Sequence, residues 1–77
     1  VADNLSYRAM AMLRAVAEGR AVMSISCEPD LFIDGMPCCD QMTAHALAHL
    51  GYLRAAADGA AELTEAGRAA LPVTIAA

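Results

Sequence analysis

His45 and His49 stand one helical turn apart in Q-M-T-A-H-A-L-A-H-L, a spacing that puts two imidazoles on one side of a helix and within reach of a single metal ion. Met42 and Cys38 fall on the same flank. They cannot all bind together, because Cys38 and His49 would be separated by about 16 Å along a helix rising about 1.5 Å per residue. A metal centre therefore needs a third ligand from elsewhere, for which Cys27 is the candidate, and no C-x-x-C pair supports it. Two histidines on a surface or at an interface are the plainer reading. Cys38 and Cys39 precede a helix start, whose partial positive charge favours a thiolate, while Asp40 beside them acts in the opposite direction. Buried, inert cysteine is the commoner state of a free thiol. The sequence has no G-x-S-x-G, no H-E-x-x-H and no glycine-rich phosphate loop. No nucleophile, base and orienting group can be assembled from it, so neither an enzyme nor a cofactor is expected.

The elements that would position these residues follow from periodicity and punctuation. Asp3 to Glu18 reads as a first helix, capped by Asp3, with Leu5, Ala9, Met12, Leu13 and Val16 on one face, Arg8 and Arg14 on the other, and Gly19 at its end. Ala21 to Ser26 alternates Met23 and Ile25 with Ser24 and Ser26, as a half-buried strand does. The segment C-E-P-D-L-F-I-D-G-M-P-C-C from Cys27 to Cys39 has two readings. Pro29 and Gly35 can frame a helix of under two turns. Alternatively, Leu31, Phe32 and Ile33 lead as a strand into an Asp34-Gly35 hairpin turn, with Pro37 removing a ladder donor from the returning strand. The spacing favours the short helix by a narrow margin. Asp40 then caps a helix through about Leu50. On it Cys39, Thr43, Ala46, Leu47 and Leu50 converge as the core face, and Gln41, Ala44, His45 and Ala48 point away. Gly51 stops this helix. A strand from Tyr52 to Ala56, a two-residue turn at Asp58-Gly59, and Ala60 to Leu63 form a hairpin. Thr64 caps a closing helix to Leu71, stopped by Pro72.

A chain of 77 residues makes a single domain, 1–77, with 72–77 as a short apolar tail that is either loose or docked on a partner. Its apolar fraction is 58% but its aromatic fraction 4%, so the core rests on alanine, leucine and methionine and is thin. Such small cores often need support from another chain. Met10 and Met12, off or at the edge of the first helix's core face, add surplus apolar surface that points to a homodimer or a protein partner. No apolar run approaches the roughly 20 residues of a membrane-spanning helix, and no basic-then-apolar segment opens the sequence. Three cysteines at spacings unlike a disulfide framework fit a reducing, cytoplasmic setting.

The run L-G-Y-L … D-G-A-A-E-L-T-E-A-G-R-A-A-L, within residues 45–71, resembles the recognition helix, wing and closing helix of MarR-type winged helix-turn-helix regulators. The resemblance implies an α+β fold, a small winged helix-turn-helix domain with a short two- or three-stranded antiparallel sheet, in which the strand at 21–26 pairs with the wing. It also implies sequence-specific binding of double-stranded DNA as a transcriptional regulator. In that reading Gln41 and His45 face base edges, Thr43 a phosphate, and Arg54, near the base of the wing, is a further contacting residue. Five arginines and no lysine against nine acids, net −4, run against phosphate neutralisation, and Asp58 and Glu62 occupy the wing where the family places a basic residue. The alternative is a winged-helix module for protein–protein interaction, with little or no DNA binding.

Overall fold

A computed structural model describes residues 5–24 and 30–71. The first helix, α1 (Tyr7–Ala17), opens at Ser6, whose hydroxyl accepts the Ala9 amide at 3.0 Å; the cap is Ser6, and Asp3 lies outside the described residues. Its buried side carries Ala9, Met12, Leu13, Ala15 and Val16, so Met12 is a core residue and not surplus surface. Leu5 packs partly buried against that core, while Arg8 and Arg14 are exposed as expected.

The strand that follows, β1 (Ala21–Met23), pairs antiparallel with β2 (Leu31–Ile33) in the register Ala21↔Ile33, Val22↔Phe32, Met23↔Leu31. Asp34 and Gly35 then turn the chain into β3 (Met36–Pro37). The 31–37 segment is thus a hairpin, which corrects the short helix favoured by the Pro29 and Gly35 spacing; residues 25–29 are not among those described. Both turn residues have positive φ, 55° at Asp34 and 81° at Gly35, the signature of the primed two-residue turn whose twist matches that of the flanking strands. Pro37 is tolerated because it sits on the edge strand of the β1-β2-β3 order, and the next donor, the Cys38 amide, bonds the Leu31 carbonyl at 2.9 Å.

The second helix, α2 (Gln41–His49), is capped by Asp40. A second hairpin joins β4 (Leu53–Ala55) to β5 (Ala61–Leu63) with Leu53↔Leu63 and Ala55↔Ala61 opposed. It touches the first sheet through the bridge Val22↔Ala60 and the Met23 amide on the Gly59 carbonyl at 2.9 Å. Among the described residues, ladder pairing of β1 with this hairpin is thus limited to one bridge beside its packing on β4 and β5, and the main strand partner of β1 is β2. The closing helix α3 (Glu65–Ala70) is capped by the Thr64 hydroxyl, which accepts the Gly67 amide at 3.1 Å. The fold is α+β, three helices with a three-stranded and a two-stranded antiparallel sheet, and is compatible with a small winged-helix-like domain.

The core gathers Leu13, Leu31 and Leu47, the largest side chains that are fully buried, with Met12, Met23, Leu53 and Leu63 around them. Every element from α1 to β5 except the edge strand β3 supplies a buried residue to it. No helix among the described residues is long and apolar enough to cross a membrane.

Candidate functional site

The α2 helix and the hairpin after it are the elements on which a nucleic-acid or protein contact would be built. Asp40 fixes the start of α2: its Oδ1 accepts the Thr43 amide at 3.1 Å, and its Oδ2 accepts the Thr43 hydroxyl at 2.6 Å. Arg8 of α1 closes on the same carboxylate at 3.1 Å. The hydrogen bonds from Thr43, then the Arg8 guanidinium, hold the Asp40 carboxyl below its ordinary value. The helix is thereby pinned to α1 at its first turn, and Thr43 spends its hydroxyl on the cap.

Gln41, expected at a base edge, is committed elsewhere. Its Nε2 donates to the carbonyls of Leu31 at 3.0 Å and Cys38 at 2.8 Å, while its Oε1 accepts the Leu31 amide at 2.9 Å. One side-chain amide thus imitates a strand neighbour for β2 and holds the first hairpin to α2. Its donors and acceptor are thus paired inside the protein, and reading a base edge would require breaking these bonds. His45, 24% exposed, has its Nε2 at 3.0 Å from Asp30 Oδ1, so it too is turned toward the chain ahead of β2. Arg54, on the second hairpin, donates from Nε to Glu62 Oε2 at 2.7 Å, a cross-strand pair that neutralises the cation expected to meet DNA.

The solvent face of α2 also differs from the expected one. Ala44 and Leu47 are buried and Ala48 packs on the core, whereas Ala46, His49 and Leu50 are exposed. Met42 is 83% exposed and Leu50 65%. Met42, Ala46 and Leu50 are spaced by four residues, so they form one apolar line along the helix, joined by His49 and preceded by the exposed Cys39. No acidic or basic residue other than His49 lies on this line. The signal for it was present in the sequence as the Met42–Leu50 spacing, but it reads equally well as a buried stripe.

Cys38 is half-buried beside the core and Cys39 is exposed. Among the described residues no group of three His, Cys, Asp or Glu side chains stands close enough to hold a metal ion. His45 and His49 remain on α2 without an assembled third ligand, and Cys27, the candidate for it, lies outside the described residues. No family model, curated relative or solved structure matches this chain.

Proposed function

We propose that this chain is a small winged-helix-like module for protein–protein interaction, whose contact surface is the solvent side of α2. The observation that carries the reading is the line Met42, Ala46 and Leu50, apolar and largely in solvent. Large apolar side chains exposed side by side are a feature of contact surfaces. The partner whose chemistry fits best is a second copy. In an antiparallel two-fold contact Met42 would meet Leu50 of the other copy, with Ala46 at the centre, where a small side chain lets two helices approach. A two-fold axis also brings like charges together, and in a chain of net −4 the face that can tolerate this is one without acids.

Sedimentation velocity over a concentration series tests the proposal. A dimer that becomes a monomer on M42D/L50D, with the melting temperature unchanged, is the expected result. A parent chain that stays monomeric at high concentration sinks it.

A second reading, DNA binding by a transcriptional regulator, is favoured by the resemblance at residues 45–71 and by the position of α2 beside the β4–β5 hairpin, which it packs against. In that reading Gln41, Thr43, His45 and Arg54 must each give up an internal partner to reach DNA. Titration into mixed-sequence duplex at low and then raised salt separates the readings. Steeply salt-dependent binding supports the regulator, and no binding at low salt supports the interaction module.

A further inference from the structure

A second surface stands apart from α2. Where α1 ends, Val16 and Ala17 face Ala61 and Leu63 of β5 and Leu71 at the end of α3, and between them lies an open trough of about 450 Å³. That volume is within the range of sites that hold small ligands or a few side chains of a peptide. Its walls are apolar and its lip carries Glu62 and Arg68.

The charges around this trough are unlike those elsewhere on the molecule. Arg8 is paired with Asp40, Arg20 with both Glu18 and Asp34, and Arg54 with Glu62. Arg14 and Arg68, the other two of the five arginines, have no acidic partner among the described residues. Glu62 on the lip is already neutralised by Arg54 at 2.7 Å, and Glu65, one turn before Arg68, makes no ion pair with it. Arg14 lies three residues before Ala17 and so projects from the same flank of α1, and α1 packs against α3. Among the described residues, the two arginines without an acidic partner thus stand one at the lip of this trough and one on the flank of α1 that borders it.

From this juxtaposition we infer that the trough between α1, β5 and α3 binds a peptide segment in which apolar side chains alternate with aspartate or glutamate. The apolar side chains fill the space lined by Val16, Ala17, Leu63 and Leu71, and a carboxylate pairs with Arg68 at the lip. An extended backbone fits, because the floor is a strand, and alternation then sends one set of side chains into the trough and the other to its rim. Residues 72–77, which follow Leu71 directly, contain no acid; they could supply the apolar half of this chemistry but would leave Arg68 unpaired. Phosphate groups could pair with the arginines but not with the apolar walls. The inference is independent of the role proposed for α2.

The test uses a fluorescein-labelled peptide of about ten residues alternating leucine and aspartate, with a leucine–lysine peptide and a DNA duplex as comparisons, followed by anisotropy and by amide chemical shifts. Saturable binding of the acidic peptide is expected, weakened about tenfold by R68E and again by A17E, both at exposed positions where melting should be unchanged. Shifts should centre on Ala17, Ala61, Leu63 and Leu71. Removing residues 72–77 should leave affinity the same or raise it. The inference is overturned by absence of binding at millimolar peptide, by equal binding of the lysine peptide, by indifference to R68E, by shifts confined to α2, or by duplex binding that R14E and R68E abolish.

Discussion

The two hairpins of this protein turn on the same dipeptide and solve the turn differently. At Asp34-Gly35 both residues take positive φ and the loop is two residues long. At Asp58-Gly59 the glycine takes the left-handed conformation, φ 90°, and the loop is Ala57-Asp58-Gly59, closed by the Ala56 amide on the Ala60 carbonyl at 2.8 Å. The Gly59 amide returns to the Ala56 carbonyl at 2.9 Å, and the Asp58 carboxylate accepts the Ala60 amide at 3.0 Å. This is the three-residue connection, a turn followed by a left-handed glycine, and it corrects the two-residue turn expected there. The dipeptide announces a reversal; the register of the strands on either side selects its type.

The hairpins also differ in what holds them. The first is tied to α2 by the polar side chain of Gln41. The second is held against α3 by close contact: the Thr64 hydroxyl donates to the Gly51 carbonyl, the Thr64 amide reaches the Tyr52 carbonyl at 3.1 Å, and Gly67 lies against the same carbonyl. A Cβ at position 67 would stand 2.0 Å from the Tyr52 oxygen, far inside the distance at which a non-bonded carbon and oxygen can sit.

The largest expected effect follows from that contact. G67A should cost about 3 kcal/mol or prevent folding, because backbone rather than a yielding side chain is in the way, and urea unfolding measures it. Stability equal to the parent would mean that α3 does not seat as described. The anchor of the first hairpin should be weaker but sharper in location: Q41A should cost about 2 kcal/mol, since it removes the side-chain partner of the Leu31 amide and of the Cys38 carbonyl and leaves the Leu31 carbonyl with the Cys38 amide alone. Hydrogen exchange should accelerate first at the Leu31 and Cys38 amides. Acceleration spread evenly through β4 and β5 would erase the distinction between the two anchors.

The turns themselves give a smaller contrast. D34A places alanine at φ 55° and removes the ion pair with Arg20, and should cost about 1 kcal/mol. D58A loses one exposed hydrogen bond and should cost about 0.5 kcal/mol or less, measured by the same unfolding curves. Equal losses would contradict the two turn types.

Acid should separate the helices that carry the anchors. The Asp40 carboxyl is held below its ordinary value in the folded protein, so its contribution is present above pH 3.8, the value of the free group, and is lost as pH falls through the lower folded value. The cap of α3 is a threonine hydroxyl, which does not titrate in this range. Amide exchange followed from pH 5 to pH 2 should therefore loosen the first turn of α2 before that of α3.

Much of this architecture is legible in the residues. The face of α1, the strands of the second hairpin, and the caps at Asp40 and Thr64 all follow from spacing and side-chain chemistry, and all are found. The face of α2 was not legible, for a physical reason. Ala44 is buried and Ala48 partly buried because small side chains let a nine-residue helix sit close to its neighbours, whereas the larger Met42 and Leu50 are left outside. A reading weighted by size turns such a helix the wrong way. The hairpin at 31–37 was written in Leu31-Phe32-Ile33 and Asp34-Gly35, but Gln41, the residue that fixes it, lies outside the segment and bonds to backbone that has no sequence signature. The internal bonds of the candidate residues were likewise not legible: Gln41, Thr43, His45 and Arg54 each have a partner within the protein that their positions in the sequence do not announce.

The packing of α1 against β5 has a consequence for biosynthesis. The apolar side of α1 is complete once residue 17 has been made, and β1 and α2 supply part of its cover, but the part that β5 supplies arrives only with residues 61–63. At about 5 to 20 residues per second a ribosome needs roughly 2 to 9 s to cross that interval. For that time the apolar side of α1 lacks the cover of β5 and has only what β1 and α2 provide as they emerge.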